Sequence, residues 1–133
     1  MRAAAEAANF GMPETRHGIP SGMVASVLPR LIGWGKACEL VLTGDHIDAE
    51  EAYRIGYLEK LVPIAELDDA IERWVASLVA CGPRAVRIQK RLIIDWDRMS
   101  PTDGARAGIQ AYVDAYRTDE PKRLMTAFVN RKR

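Results

Sequence analysis

The 133 residues suffice for one domain of ordinary size and are too few for two well-cored ones. Apolar residues make up 48% and charged residues 28%, a globular composition. With 19 Lys and Arg against 18 Asp and Glu the net charge is +1, which argues against a nucleic-acid partner, since that requires a clustered basic excess. The run Asn130-Arg131-Lys132-Arg133 reads as a solvated tail, and no apolar stretch approaches the length of a membrane span. Met1-Arg2-Ala3-Ala4-Ala5-Glu6 is too acidic, and its apolar part too short, for a signal peptide. The expectation is a soluble, cytoplasmic, single-domain protein with no membrane or nucleic-acid partner.

In chain order, Asn9-Phe10-Gly11-Met12 before Pro13 is an extended piece, because proline disfavours helix in the residue before it. Gly18, Pro20, Ser21 and Gly22 form a loop, and the apolar run Met23 to Ile32 follows. Gly33-Trp34-Gly35 interrupts that run, and Lys36 to Thr43 resumes as a helix ending at Gly44. Asp48-Ala49-Glu50-Glu51 fits a capping box that opens a short helix closing at Gly56. Tyr57 to Val62 alternates apolar and polar before Pro63 and is the best strand candidate. Beyond it, Leu67, Ile71, Trp74, Val75 and Leu78 share one helical face. Gly82-Pro83 starts the next helix, with Val86, Ile88, Leu92, Ile93 and Trp96 as mostly buried candidates. Ser100-Pro101 opens a third, on which Ile109, Tyr112, Val113 and Tyr116 repeat at helical spacing. Pro121 opens a last helix with Leu124, Met125, Phe128 and Val129 on one side.

The chain is therefore mainly α with a few short strands. A lone short strand cannot satisfy its own N–H and C=O groups. The extended pieces of the first 62 residues must pair with each other, with another chain, or with a segment not in the sequence.

Glu14 is the leading candidate for chemistry. It lies at the end of an apolar extended piece and before a Gly/Pro loop, where a carboxylate can act as general acid or base; a solvent-facing turn glutamate is the plainer reading. His17 is a second candidate proton carrier or a polar surface residue. His17 and His46 stand too far apart for a metal-ligand spacing, and no nucleophile elbow or phosphate-cradling glycine motif occurs. Cys38 and Cys81 lack a CxxC spacing and fall in apolar helical surroundings, so unreactive reduced thiols are expected.

Seven ordered blocks carry a resemblance. They are Asn9-Phe10-Gly11-Met12-Pro13-Glu14, Gly18-Ile19-Pro20-Ser21-Gly22, Leu28-Pro29-Arg30-Leu31-Ile32-Gly33, Leu40-Val41-Leu42-Thr43-Gly44, Ile47-Asp48-Ala49-Glu50-Glu51-Ala52, Gly56-Tyr57-Leu58 with Val62-Pro63, and the closing Thr118-Asp119-Glu120 with Ala127 to Arg133. Together they resemble the enoyl-CoA hydratase/isomerase (crotonase) superfamily, over nearly the whole chain but over only the C-terminal half of the family pattern. The resemblance implies the end of the β-spiral core of the α/β ClpP/crotonase fold over residues 1–64, and a helical oligomerisation (trimerisation) region over 65–133.

It also implies roles. Glu14 matches the second of two glutamates that hold a water and add it across an α,β-unsaturated acyl-CoA. Gly22 matches a loop glycine whose N–H helps position that water. Tyr112 and Arg131 match positions that contact CoA bound to a neighbouring subunit, with Arg131 where a lysine is usual; on the residues alone Tyr112 is equally a core residue and Arg131 a tail residue. The first glutamate, the oxyanion-hole donors and most of the CoA grip are expected in a missing N-terminal half. No cofactor is implied beyond the coenzyme A of the substrate. The implied partners are an acyl-CoA, the missing half, and further copies in a trimer or dimer of trimers. Where many hydratases read Pro-Gly-x-Gly-Gly, this chain reads Ser21-Gly22-Met23-Val24-Ala25, so an isomerase or another crotonase-type reaction stands beside hydration. A non-catalytic oligomerisation piece is the alternative of a different class.

Overall fold

The computed structural model describes residues 1–22 and 24–131, the last of these by its backbone alone. Two compact units divide the chain, Met1–Arg73 and Trp74–Arg133.

The first unit opens with β1 (Ala3–Ala5) and β2 (Asn9–Gly11), followed by a 3-10 turn at Pro13–His17. The helices α1 (Leu28–Ile32) and α2 (Trp34–Thr43) come next, then β3 (His46–Asp48), α3 (Ala49–Arg54) and β4 (Lys60–Val62). The extended pieces pair with each other. β1 lies parallel to β4 with Ala4 opposite Leu61, and β2 runs antiparallel to β3 with Phe10 opposite Ile47. β1 and β3 carry no alternation that marks them as strands in the sequence; only their partners define them. The strand expected over Tyr57 to Val62 is confined to Lys60–Val62. Its first residues instead turn to bond α3, with the Tyr57 and Leu58 N–H groups both donating to the Ala52 carbonyl at 2.9 and 3.1 Å. Arg2 locks the β1 end: its guanidinium pairs with Glu59 at 2.6 Å and lies 5.1 Å from the Tyr57 ring centroid.

The helix ends follow the sequence closely. Gly33, at φ +81°, separates α1 from α2, and Trp34 and Gly35 belong to α2 rather than to the break. Gly44 closes α2 in the left-handed region at φ +65°. Asp48 caps α3 by accepting from the Glu51 N–H at 2.8 Å. The reciprocal half of the expected box is not made, because the Glu51 carboxylate is taken by Arg54 at 2.6 Å and Lys36 at 3.3 Å. Every buried apolar side chain among the described residues lies in this unit: Leu28, Ile32, Ala37 and Leu40 in one cluster, Ala4, Ala52 and Leu58 in a second, and Ala49 and Ala70 besides.

α4 (Leu67–Val79) runs across the division between the units, and the second unit continues with α5 (Pro83–Trp96), α6 (Pro101–Ala115) and α7 (Glu120–Arg131). Two polar clasps order it. Glu120 accepts from the Ala85 N–H at 3.0 Å and the Arg84 N–H at 3.3 Å, so α7's first carboxylate caps α5. Trp96 Nε1 donates to the Gly104 carbonyl at 3.1 Å, and Gly104 is buried against that indole. The α5 residues expected to be mostly buried are at most half-buried, and the stripes of α6 and α7 are open as well. Val86, Ile88 and Leu92 are half-buried, while Ile93, Trp96, Ile109, Val113 and Phe128 are exposed. Among the described residues no helix is long and apolar enough to cross a membrane.

Candidate active site

The Pro13–His17 turn begins directly after β2, with proline at its first position and Gly18 closing it at φ +75°. Three residues of this turn reach four different partners. Thr15 Oγ1 donates to the Val41 carbonyl at 3.2 Å, and Arg16 Nε donates to the Thr43 carbonyl at 3.0 Å while its guanidinium pairs with Asp45. These contacts fasten the turn to the C-terminal end of α2. Glu14, the half-buried residue between Pro13 and Thr15, is thereby fixed by its neighbours rather than by its own charge. Its carboxylate accepts a hydrogen bond from Ser21 Oγ at 3.0 Å. The loop folds back to make this contact, helped by the Ile19 N–H donating to the Glu14 carbonyl at 3.2 Å.

A cavity of about 220 Å³ opens beside β2, lined by Phe10, Met12, Leu28, Ile32, Leu40 and Tyr57 among others. Met12 stands two residues before Glu14, so β2 carries both an apolar wall and, just past its end, a carboxylate. Phe10 and Tyr57 meet edge to face at 5.3 Å across this wall. A carboxylate with one of its acceptor sites satisfied by a hydroxyl keeps a free oxygen for a water or an acidic proton. Glu14 is not itself among the residues lining the cavity; its chemistry, as a half-buried carboxylate with one hydroxyl donor, is to take up or give a proton.

Ser21 is a contact of Glu14 that no sequence motif marks. Its signal was modest, a hydroxyl seven residues beyond the carboxylate in a Gly/Pro loop. Gly22 is exposed, and a Cβ placed on it would meet nothing within 4 Å, so sterics do not demand glycine there. Met23 lies outside the described residues. His17 is exposed, and no hydrogen bond joins it to Glu14.

The other two predicted positions belong to the second unit. Tyr112 is exposed on α6, not in a core, and its hydroxyl lies 3.2 Å from that of Tyr116. That hydrogen bond, together with lesser burial, pushes the Tyr116 phenol above its ordinary value of 10.0. Arg131 ends α7, and its side chain lies outside the described part of the structure. Of the cysteines, Cys38 is half-buried, but Cys81 is exposed at the end of α4 and donates to the Ser77 carbonyl at 3.2 Å, contrary to the apolar setting expected for it.

Comparison with known proteins adds a family to this geometry. A family model described as enoyl-CoA hydratase/isomerase matches residues 1–133. A crotonyl-CoA hydratase of Syntrophomonas wolfei is 34% identical over 138 residues, covering 99% of this chain and 51% of its own length. An enoyl-CoA hydratase structure from Bacillus anthracis superposes with a TM-score of 0.94 at 34% identity, over 98% of this chain and 51% of its own. A structure from Thermobifida fusca, assigned as an enoyl-CoA hydratase in complex with CoA, gives 0.82 at 32% identity over 87% and 46%. The chain thus spans about half the length of the curated relatives it matches. Of the sequence resemblance, the matches bear out the superfamily, the fold and the half-length span, and not the placing at the C-terminal end of the pattern.

Proposed function

The chain belongs to the enoyl-CoA hydratase/isomerase family, and we propose that it supplies the Glu14 side of a crotonase-type site acting on a 2-enoyl-CoA. In this reading Glu14, braced by Ser21, holds a water at the β-carbon of the substrate and exchanges a proton with it. Hydroxide adds to the β-carbon and a proton to the α-carbon, giving the 3-hydroxyacyl-CoA through an enolate. Gly22 offers its N–H to the same water. The cavity beside β2 takes apolar atoms of the acyl group. Enolate formation needs oriented N–H donors, worth about 3–4 kcal/mol for a single donor in acyl transfer. Those donors and a second carboxylate come, in this proposal, from residues outside these 133. Tyr112 and Arg131 approach the CoA of a neighbouring copy, in a trimer or dimer of trimers, and no cofactor is needed beyond the substrate's own coenzyme A.

The observation that carries the reading is the half-buried Glu14 carboxylate held at 3.0 Å by Ser21, at the end of an apolar wall. Hydration of crotonyl-CoA, followed by loss of the conjugated thioester absorbance, tests it. The 133-residue chain alone is expected to be inactive. With the proposed N–H donors and second carboxylate supplied, Glu14→Gln should lower kcat by about 100-fold or more, as removal of a general acid/base does, without changing far-UV circular dichroism. Ser21→Ala should lower kcat by a smaller factor. Unaltered kcat in Glu14→Gln would remove Glu14 from the site.

A second reading, isomerisation of the double bond, keeps Glu14 as proton carrier and dispenses with the water. It is favoured by the loop at Ser21-Gly22, which lacks the glycines common in hydratases. A chain that serves in assembly rather than catalysis is favoured by the exposed apolar faces of α6 and α7.

A further inference from the structure

We propose that the cleft between α5 and α6 binds a small polyanion, a molecule carrying two or more phosphate groups. The cleft encloses about 510 Å³, within the range of small-molecule sites. Arg84, Arg87 and Arg91 line it from α5, Arg117 from just beyond α6, and the carboxylates of Asp95 and Asp114 are the only acidic groups among its lining residues. Positions 84, 87 and 91 recur at i, i+3 and i+7, so the three guanidinium groups rise along one helix face over about 10 Å. Like charges at this spacing repel, and an isolated helix gains nothing by stacking them.

The donors of these arginines are under-used. The Asp114 carboxylate is held by Arg117 Nε at 3.1 Å and Gln110 Nε2 at 3.2 Å, and its carbonyl accepts from Arg84 Nη2 at 3.3 Å and from the Arg117 N–H at 3.2 Å. Arg84 Nε is buried and has no acceptor among the described residues. A buried N–H of a charged group without a partner is costly enough that native structures rarely leave one, and an acceptor brought by a ligand removes the cost. Among the described residues no hydrogen bond or ion pair holds the side chain of Arg87 or Arg91, or that of Asp95, one turn beyond Arg91 on the same helix. The positive end of α5 plays no part, because Glu120 already occupies the Arg84 and Ala85 N–H groups.

Planar guanidinium forks match phosphate oxygens two at a time, which a lysine cannot do. Three forks within about 10 Å, lining an open cleft between two helices with Arg87 and Arg91 exposed, fit one compact molecule better than an extended acidic chain. This inference is independent of the proposed hydratase reading, whose residues lie on other elements.

Titration calorimetry of the 133-residue chain with inorganic triphosphate at low salt tests the proposal. One-to-one binding is expected, weakening as salt is raised. Arg87→Ala/Arg91→Ala should weaken it by about tenfold or more, and Arg87→Lys/Arg91→Lys by less, since the charge stays and the fork is lost. Arg54→Ala, on α3, should leave it unchanged. A measurement on the unsubstituted chain avoids reliance on variants that fail to fold. Bound triphosphate should protect Arg87 and Arg91, and not Arg54, from phenylglyoxal as mapped by mass spectrometry. Absence of both heat and protection at millimolar triphosphate would overturn the proposal. So would a glutamate peptide of matching charge binding as tightly, which would make the cleft a docking site for an acidic segment.

Discussion

Gly44→Ala probes how the Glu14 turn is anchored, because two separable strains meet at one position. Gly44 sits at φ +65° with its N–H donating to the Leu40 carbonyl at 3.0 Å, and a residue with a Cβ pays about 1–2 kcal/mol to stay there. The new Cβ would also stand 2.9 Å from Arg16 Cγ and 3.2 Å from its Cδ and Nε. That stem cannot simply swing away, since Arg16 is tied to the Thr43 carbonyl at 3.0 Å and to Asp45. Releasing an exposed contact of this kind costs about 0–1 kcal/mol, for a combined loss of about 2 kcal/mol. Urea unfolding followed by circular dichroism should then show the midpoint falling by about 1 M at an m-value near 2 kcal/mol/M. Gly44→Asn should recover part of the loss, because asparagine tolerates the left-handed region, while keeping the clash with Arg16. Arg16→Ala/Gly44→Ala should lose less than the sum of its singles, because the first change removes the atoms that the second one strikes. An unshifted midpoint for Gly44→Ala, or strict additivity in the double variant, would refute the reasoning.

The remaining predictions rest on helix ends and charge. Asp48→Ala removes the acceptor of the Glu51 N–H and should cost about 1 kcal/mol, read as a lower urea midpoint. The Glu51 carboxyl is lowered from 4.5 to about 2, chiefly by its hydrogen bonds from Arg54, against an opposing effect of burial and with help from Lys36. A carboxyl whose folded value is depressed adds stability above its unfolded value, so this contribution is intact above about pH 4.5 and lost as pH falls toward 2. Arg54→Ala should therefore narrow the difference between urea midpoints measured near pH 6 and near pH 3; an unchanged difference would remove the pair from acid stability.

What was legible in the sequence was mostly local. Helix ends were marked by Gly44, Asp48, Gly56, Gly82-Pro83 and Ser100-Pro101, each of which acts through its own backbone or the next turn, and the structure places helix ends at or within two residues of each. The strands were harder. β1 is Ala3-Ala4-Ala5, which by propensity suits a helix, and it is extended only because Lys60–Val62, more than fifty residues on, offers a parallel edge. No pattern within β1 could show that. Glu14 stood out as a carboxylate at a strand end, but its brace did not, since the Ser21 contact depends on how the intervening loop returns. The α5 arginines are hard to see in the sequence for a different reason: an overall charge of +1 averages away a cluster that forms only when helical spacing brings three of them onto one face.

The apolar stripes of the second unit show where periodicity stops being informative. Spacing at i, i+3, i+4 and i+7 establishes that a helix has an apolar face, and α6 and α7 have one. It does not establish that the face is covered within the same chain. Ile109 is 68% exposed and Phe128 60%, in a unit whose described residues include no buried large side chain. Burying a side chain of this size is worth about 1.5–3 kcal/mol, so leaving many in water forfeits a large part of what would order these helices. The first unit has the opposite balance, with Leu28, Ile32, Leu40 and Leu58 all buried and the Glu14 turn fastened to that core. Substitutions near Glu14 should therefore report on chemistry with the local fold kept. Polar substitutions at Val113 or Phe128 should report instead on whatever covers the second unit, and cost a monomer little.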